Sequence, residues 1–226
     1  MSDELRAGQT TSSAEAAEDR GVLFVISSPS GGGKGTLIRR IREQVARLGY
    51  SISWTTRAPR RGEQHAVNYF FVTPEEFIAA RDQSEFLEWA EVHGHFYGTS
   101  LTFVAQELAA GRDVILEIDV QGAASVRAAA LDAVSIFILP PSFEVLRARL
   151  IARKSESLAD LALRLRNARA EIMHYREFDY VVLNDEVERA AAQLAAIIYA
   201  ERAERKRQEA LVERVLATFP DEVATG

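Results

Sequence analysis

The run Val22-Leu23-Phe24-Val25-Ile26 passes directly into Ser27-Ser28-Pro29-Ser30-Gly31-Gly32-Gly33-Lys34-Gly35-Thr36. An apolar strand, a glycine-rich turn and a helix start, in that order, leave the chain little choice. The strand must be buried, and the turn brings backbone N–H groups, one ammonium and the positive end of a helix dipole to a single point. That point suits a polyphosphate. The pattern approaches the phosphate loop G-x-x-x-x-G-K-[S/T] in its strand–loop–helix setting. It departs twice: Ser28 replaces the first glycine, and Gly35 stands where a hydroxyl residue usually meets magnesium. The alternative is a tight connection that binds nothing, but three glycines before a lysine exceed what a packing turn needs.

With 226 residues the chain can bury a sizeable core as one medium domain. It has no cysteine, so it has neither a disulfide framework nor a cysteine metal site. The net charge is -6, and half of that excess sits between Met1 and Arg20, where Asp3, Glu4, Glu15, Glu18 and Asp19 oppose Arg6 and Arg20. The remainder is nearly balanced, which argues against general nucleic-acid or membrane binding. Residues 1–20 read as a disordered tail and 218–226 as a second one. The first tail is too polar for a signal peptide and too acidic for a transit peptide. No apolar run is long enough to span a bilayer. The expectation is a soluble, cytoplasmic protein.

Apolar spacing predicts a helix over 34–48 and strong strands over 22–26, 113–119, 133–139 and 180–183. Further helices are expected over 74–81, 142–151, 158–175 and, with a break, 187–216. Strands alternating with helices imply an α/β fold, a parallel sheet covered on both faces with ligands at the strand carboxyl ends. Weaker aromatic strands at 51–53, 67–72 and 86–92 point to a small mixed or antiparallel lobe inserted into that core.

Five strings then form one pattern: the phosphate loop; Thr55-Thr56-Arg57-Ala58-Pro59-Arg60-Arg61-Gly62-Glu63 with Tyr69; Tyr97-Gly98-Thr99; Ile118-Asp119-Val120-Gln121-Gly122; and Phe137-Ile138-Leu139-Pro140-Pro141-Ser142. Together they resemble the guanylate kinases of bacteria, from about residue 21 to 205. The resemblance implies a P-loop core over 21–50 and 100–217, a monophosphate-binding lobe over about 51–99 and a mobile lid over about 147–165. It implies transfer of phosphate from ATP to GMP or dGMP with magnesium, in purine metabolism. No nucleic-acid or membrane partner follows, and oligomeric state is not legible.

Residue chemistry is consistent with that implication. Arg57 and Arg60, three apart around a proline, suit a bidentate grip on one phosphate monoester, although a solvated basic loop would look the same. Tyr69 and Tyr97 either pack the lobe or donate to that phosphate, and the resemblance favours the second. It also implies guanine reading by Glu88, Ser53 and Thr99: a carboxylate for the N1–H and exocyclic amine, two hydroxyls for O6. Ser28, Pro29, Ser30, Gly31, Gly32, Gly33, Lys34, Gly35, Thr36 and Asn184 would hold ATP. Lys34 with Arg149, Arg153 and Arg164 would stabilise the transferred charge, and Arg147, Arg166 and Arg169 read as plain helix surface. Glu117 and Asp119 would face GMP, with no direct protein ligand to the metal and Asp119 reaching it only through its water shell. A phosphate acceptor is already ionised near neutral pH, so no general base is required. Glu117 replaces a common aspartate, and Ile151-Ala152-Arg153-Lys154 replaces a glycine-richer lid, implying a stiffer hinge. Two other readings compete: an interaction module with a decayed ATP site, and a kinase for sugar phosphates. Intact Gly33-Lys34 opposes the first, and the guanine set opposes the second.

Overall fold

The computed structural model describes residues 20–92, 94–129, 131–152 and 158–220. Five strands, β1 (Leu23–Ser27), β2 (Leu48–Tyr50), β7 (Asp113–Glu117), β8 (Ala133–Leu139) and β9 (Tyr180–Leu183), form a wholly parallel sheet in the order β2-β7-β1-β8-β9. Successive side chains of β1 point to opposite faces, and both faces are dry. Phe24 and Ile26 pack with Leu37, Ile38 and Ile41 of α1 (Lys34–Gln44) and with Ala190, Leu194 and Ile198 of α7 (Val187–Arg202). Leu23 and Val25 pack on the other side with Val104 and Leu108 of α3 (Leu101–Ala109) and Ala123 and Val126 of α4 (Val120–Ala128). Fully burying side chains of this size contributes about 1.5–3 kcal/mol each. This two-sided burial is why β1 reads as a continuous apolar run.

The second sheet has four short strands, β3 (Trp54–Thr55), β4 (Phe70–Phe71), β5 (Phe86–Val92) and β6 (His95–Ser100), in the order β4-β3-β6-β5. It is mixed, with β3 and β4 parallel and the other pairs antiparallel. Its aromatic side chains form its core, Phe77 of α2 (Pro74–Asp82) stacking on Phe86 and Phe96 at ring-centroid distances of 4.5 and 5.3 Å. Thr73 and Glu76 close a capping box ahead of α2, and Pro74 occupies its first turn as expected.

The structure corrects several boundaries. The first helix ends at Gln44, and Leu48 belongs to β2, because Arg47 turns the chain through a positive φ of 59°. The strand expected at 51–53 is instead a connection between β2, in the first sheet, and β3, in the second. Only Phe70–Phe71 of the 67–72 run is strand. The helix from 158 ends at Met173 and continues as a 3-10 turn over His174–Glu177. The expected break in the last helix is a 3-10 turn, Arg205–Arg207, before α8 (Glu209–Leu216). Helices α3 and α4 were not anticipated. The remaining pair, α5 (Phe143–Ala152) and α6 (Leu158–Met173), pack through Leu146, Leu150 and Ala168 with Leu161 and Leu165 beside them. Among the described residues no helix is long and apolar enough to cross a membrane.

Candidate active site

A cavity of about 440 Å³ opens at the carboxyl ends of β1 and β7, where the two sheets meet. Its floor is the loop 28–35. Gly31 and Gly33 adopt φ of +85° and +91°, and a Cβ at Gly33 would overlap Asn184 Nδ2, so glycine is required there. Gly31 leaves the space taken by Leu150, whose Cγ would lie 2.9 Å from a Cβ. A turn closes where Gly32 N–H donates to Pro29 O at 2.9 Å. Lys34 Nζ reaches across to Ile118 O at 2.7 Å, bridging the loop to the end of β7. Thr36 N–H already donates to Gly33 O at 3.2 Å, and the start of α1 ahead of it, Gly33 to Gly35, lines the same cavity with its positive end. A polyphosphate is the ligand that satisfies this array.

The opposite wall comes from the second sheet and carries Ser53, Arg60, Tyr69, Glu88 and Tyr97. Glu88 is 6% exposed, and Thr99 Oγ1, fully buried, donates to Glu88 Oε1 at 2.6 Å. Burial pushes the Glu88 carboxyl up to about 7; the Thr99 hydrogen bond opposes the shift and the charge of Asp119 adds to it. Helix α4 comes close behind, for a Cβ at Gly122 would lie 2.7 Å from Glu88 Oε2. A buried carboxylate beside a hydroxyl, with Ser53 in the same cavity, presents acceptors and donors to a flat polar ring.

Tyr69 and Tyr97 meet edge to face at 6.1 Å, and burial pushes the Tyr69 phenol up to about 12, with the charge of Glu117 contributing. Arg57 sits just outside the cavity wall. Its Nη2 donates to both Glu63 carboxylate oxygens at 3.0 Å, and the guanidinium lies 5.3 Å from the centre of the Tyr69 ring. The fork that sequence spacing suggested therefore has one prong, Arg60, in the cavity and the other held at its edge by a carboxylate.

Glu117 and Asp119 complete the core side of the cavity. Asp119 caps α4, its Oδ1 accepting from Gly122 N at 2.8 Å. Glu117 Oε2 accepts from Tyr50 Oη at 3.0 Å. Burial and the charge of Glu117 both raise the Tyr50 phenol far above its usual range. A Cβ at Gly35 would lie 3.4 Å from Glu117 Oε1, an ordinary contact, so this carboxylate does not itself require glycine there.

Of the three arginines expected to act on the transferred charge, the cavity wall contains one among the described residues. Arg164 lines the cavity and donates to Ser30 Oγ at 3.1 Å. Arg149 stands behind the loop, spanning Gly32 O at 3.3 Å and Asn184 O at 2.9 Å, while Asn184 Nδ2 also holds Gly32 O at 2.8 Å. Arg149 and Asn184 thus brace the loop from behind. Arg147, Arg166 and Arg169 are exposed, and Thr36 is exposed in the first turn of α1. Arg153 lies outside the described residues. Sequence reading missed Tyr50 and two further α6 residues in the cavity wall, Asn167 and Glu171. The last two lie three and seven positions after Arg164 on one helical face, which is the signal that could have found them.

The family model described as guanylate kinase matches residues 20–201. The chain belongs to the guanylate kinase family. It is 50% identical over 200 residues to a protein named guanylate kinase from Dechloromonas aromatica, covering 87% of this chain and 99% of that one. A guanylate kinase from Thermotoga maritima is 44% identical over 195 residues, covering 86% and 94%. A crystal structure of guanylate kinase from Anaplasma phagocytophilum, 35% identical, superposes with a TM-score of 0.75 over 92% of this chain and 100% of that one. For a guanylate kinase, the two-sheet arrangement places a nucleotide-sized cavity between a phosphate loop and a buried glutamate.

Proposed function

We infer that the chain transfers the terminal phosphoryl group of ATP to GMP, and also to dGMP, giving ADP and the nucleoside diphosphate. The observation that carries this reading is Glu88, buried in the wall of the same cavity whose floor is the phosphate loop and held there by a hydrogen bond from Thr99. Ionised Glu88 would accept from guanine N1–H and its exocyclic amine, and Ser53 would serve O6; Thr99 would join it only by turning its hydroxyl away from Glu88. Adenine reverses the hydrogen-bond pattern at position 6 and lacks the 2-amino donor, leaving the buried carboxylate unpaired.

Positioning and charge neutralisation account for the chemistry. The loop N–H groups and Lys34 would hold the ATP phosphates from one side. Arg60, Tyr69 and Tyr97 would hold the GMP phosphate from the other, with Arg57 swinging in from Glu63. Arg164 would reach the transferred group from α6, with Arg153 expected to join it and Arg149 and Asn184 keeping the loop in shape. The GMP phosphate attacks without a base because it is already ionised.

Magnesium fits this donor set as a passenger on the nucleotide. Gly35 offers no oxygen, no cluster of three or more metal-ligating residues occurs among the described residues, and Asp119 already caps a helix. Glu117 and Asp119 would hold the ion through its water shell, and the ion supplies neutralisation of phosphate charge. We place the reaction in cytoplasmic purine nucleotide metabolism. The test is turnover of ATP with GMP, dGMP, AMP, CMP and UMP. Preference for the two guanine acceptors is expected, and equal use of AMP and GMP would refute the assignment.

A further inference from the structure

A phosphate loop with three consecutive glycines gains the freedom to wrap an anion and loses the stiffness that holds it ready. The structure shows what restores that stiffness. Gly32 O is gripped from behind by Asn184 and Arg149, and Gly31 rests on Leu146 and Leu150 of α5. Ser30 is held from α6 at both ends, its N–H donating to Glu171 Oε2 at 3.0 Å and its Oγ accepting from Arg164 Nη1 at 3.1 Å. Helix α6 can do this because its apolar stripe, Leu161, Leu165 and Ala168, is packed on α5, which turns Arg164, Asn167 and Glu171 toward the cavity.

We propose that Glu171 is a positioning residue for ATP: it fixes the Ser30 N–H, and with it the start of the glycine loop, in the shape that receives the phosphates. The role needs a hydrogen-bond acceptor of glutamate length and does not need the negative charge, which repels ATP and is offset by Arg164 on the same face. Glutamine is therefore an adequate substitute and alanine is not. This proposal rests on the reading of the cavity as an ATP site.

The test uses the full chain, with KM for ATP and for GMP, kcat, the dissociation constant of ATP by calorimetry, and the melting temperature. Glu171→Ala should weaken ATP about three- to tenfold, the range for losing one hydrogen bond, with KM for GMP and the melting temperature unchanged. Glu171→Gln should bind ATP as well as the unaltered chain or better. Three results would overturn the proposal: unchanged or tighter ATP binding by the alanine variant, a glutamine variant as weak as alanine, or equal losses for both substrates with a lowered melting temperature. Calorimetry decides the role of Glu171 even if the unaltered chain fails to phosphorylate GMP, so the two readings fail separately.

Discussion

Replacing Glu88 by glutamine should make the nucleotide-free protein more stable at high pH while destroying its use of GMP. Burial raises the folded-state pKa of Glu88 from 4.5 to about 7. Below 4.5 the carboxyl is protonated whether the chain is folded or not, and ionisation takes nothing from stability. Between 4.5 and 7 the unfolded chain has lost the proton that the folded chain keeps, so stability falls as pH rises and levels off above 7. That interval, at 1.36 kcal/mol per unit, amounts to about 3 kcal/mol. Glutamine has the same shape, still accepts from Thr99 and does not ionise. Denaturant titrations of both proteins should therefore agree near pH 4.5 and diverge by about 3 kcal/mol at pH 8, in favour of the variant. The same ionisation governs the substrate, since only the carboxylate accepts two guanine donors. Apparent affinity for GMP in the unaltered protein should rise about twentyfold from pH 6 to 8, about tenfold from ionisation of Glu88 and about twofold from the second ionisation of the GMP phosphate. A stability difference that stays flat across this range would refute the reasoning.

Lys34→Ala should cost about 2–4 kcal/mol of transition-state stabilisation and lower the melting temperature only slightly, through the loss of the hydrogen bond to Ile118 O, because the ammonium otherwise acts on ligand charge and not on the core; kcat beside a thermal melt checks both halves. Gly33→Ala should fail differently, losing ATP binding and about 1–3 kcal/mol of stability, since φ is +91° and the new Cβ would overlap Asn184. Arg60→Ala and Arg57→Ala should raise KM for GMP with little change in kcat, and Arg60 should matter more because it already faces the cavity. Calorimetry of the nucleotide-free protein should detect no magnesium binding tighter than millimolar, because Gly35 supplies no oxygen and the nearby carboxylates are engaged by Tyr50 and Gly122.

Much of this was legible in the chain because it is written locally. The run before Ser28 is apolar at every position since both faces of β1 are covered, and Gly33 is glycine because Asn184 lies against it. The Pro74 start, the 133–139 strand and the 180–183 strand emerge where they were expected. The failures are of another kind. Leu48 fits a helical stripe as well as it fits β2, and only the partner strand β7 decides between them. Helix α4 carries a weak pattern of its own and gains its burial from the sheet, whereas α3 shows Leu101, Val104 and Leu108 at helical spacing, a signal that could have found it. Glu88 looks like an exposed strand glutamate until α4 closes over it, and Glu171 looks like helix surface until a loop 141 residues away arrives. The pairing of Arg57 with Glu63 was likewise hidden, since a basic loop shows its charges and not which of them are already neutralised.

The second sheet leaves the first at residues 51–53 and returns at Ser100, the cap of α3, so one continuous block of about fifty residues carries Ser53, Arg57, Arg60, Tyr69, Glu88, Tyr97 and Thr99. On the proposed roles, most of the acceptor side is thereby written in one stretch of polypeptide and the donor side in another, joined at two neighbouring seams, with Glu117 and Asp119 of the core between them. Such a layout is open to exchange: a block reading a different base could be spliced between the same seams without disturbing the loop, Lys34 or α6. One constraint on the splice lies outside the block, at Gly122, whose missing side chain is the clearance that lets Glu88 sit where it does. A recoded block with a bulkier reading residue would have to fit that same gap, so an exchange of acceptor would be expected to keep glycine at 122 and to vary the side chain opposite it.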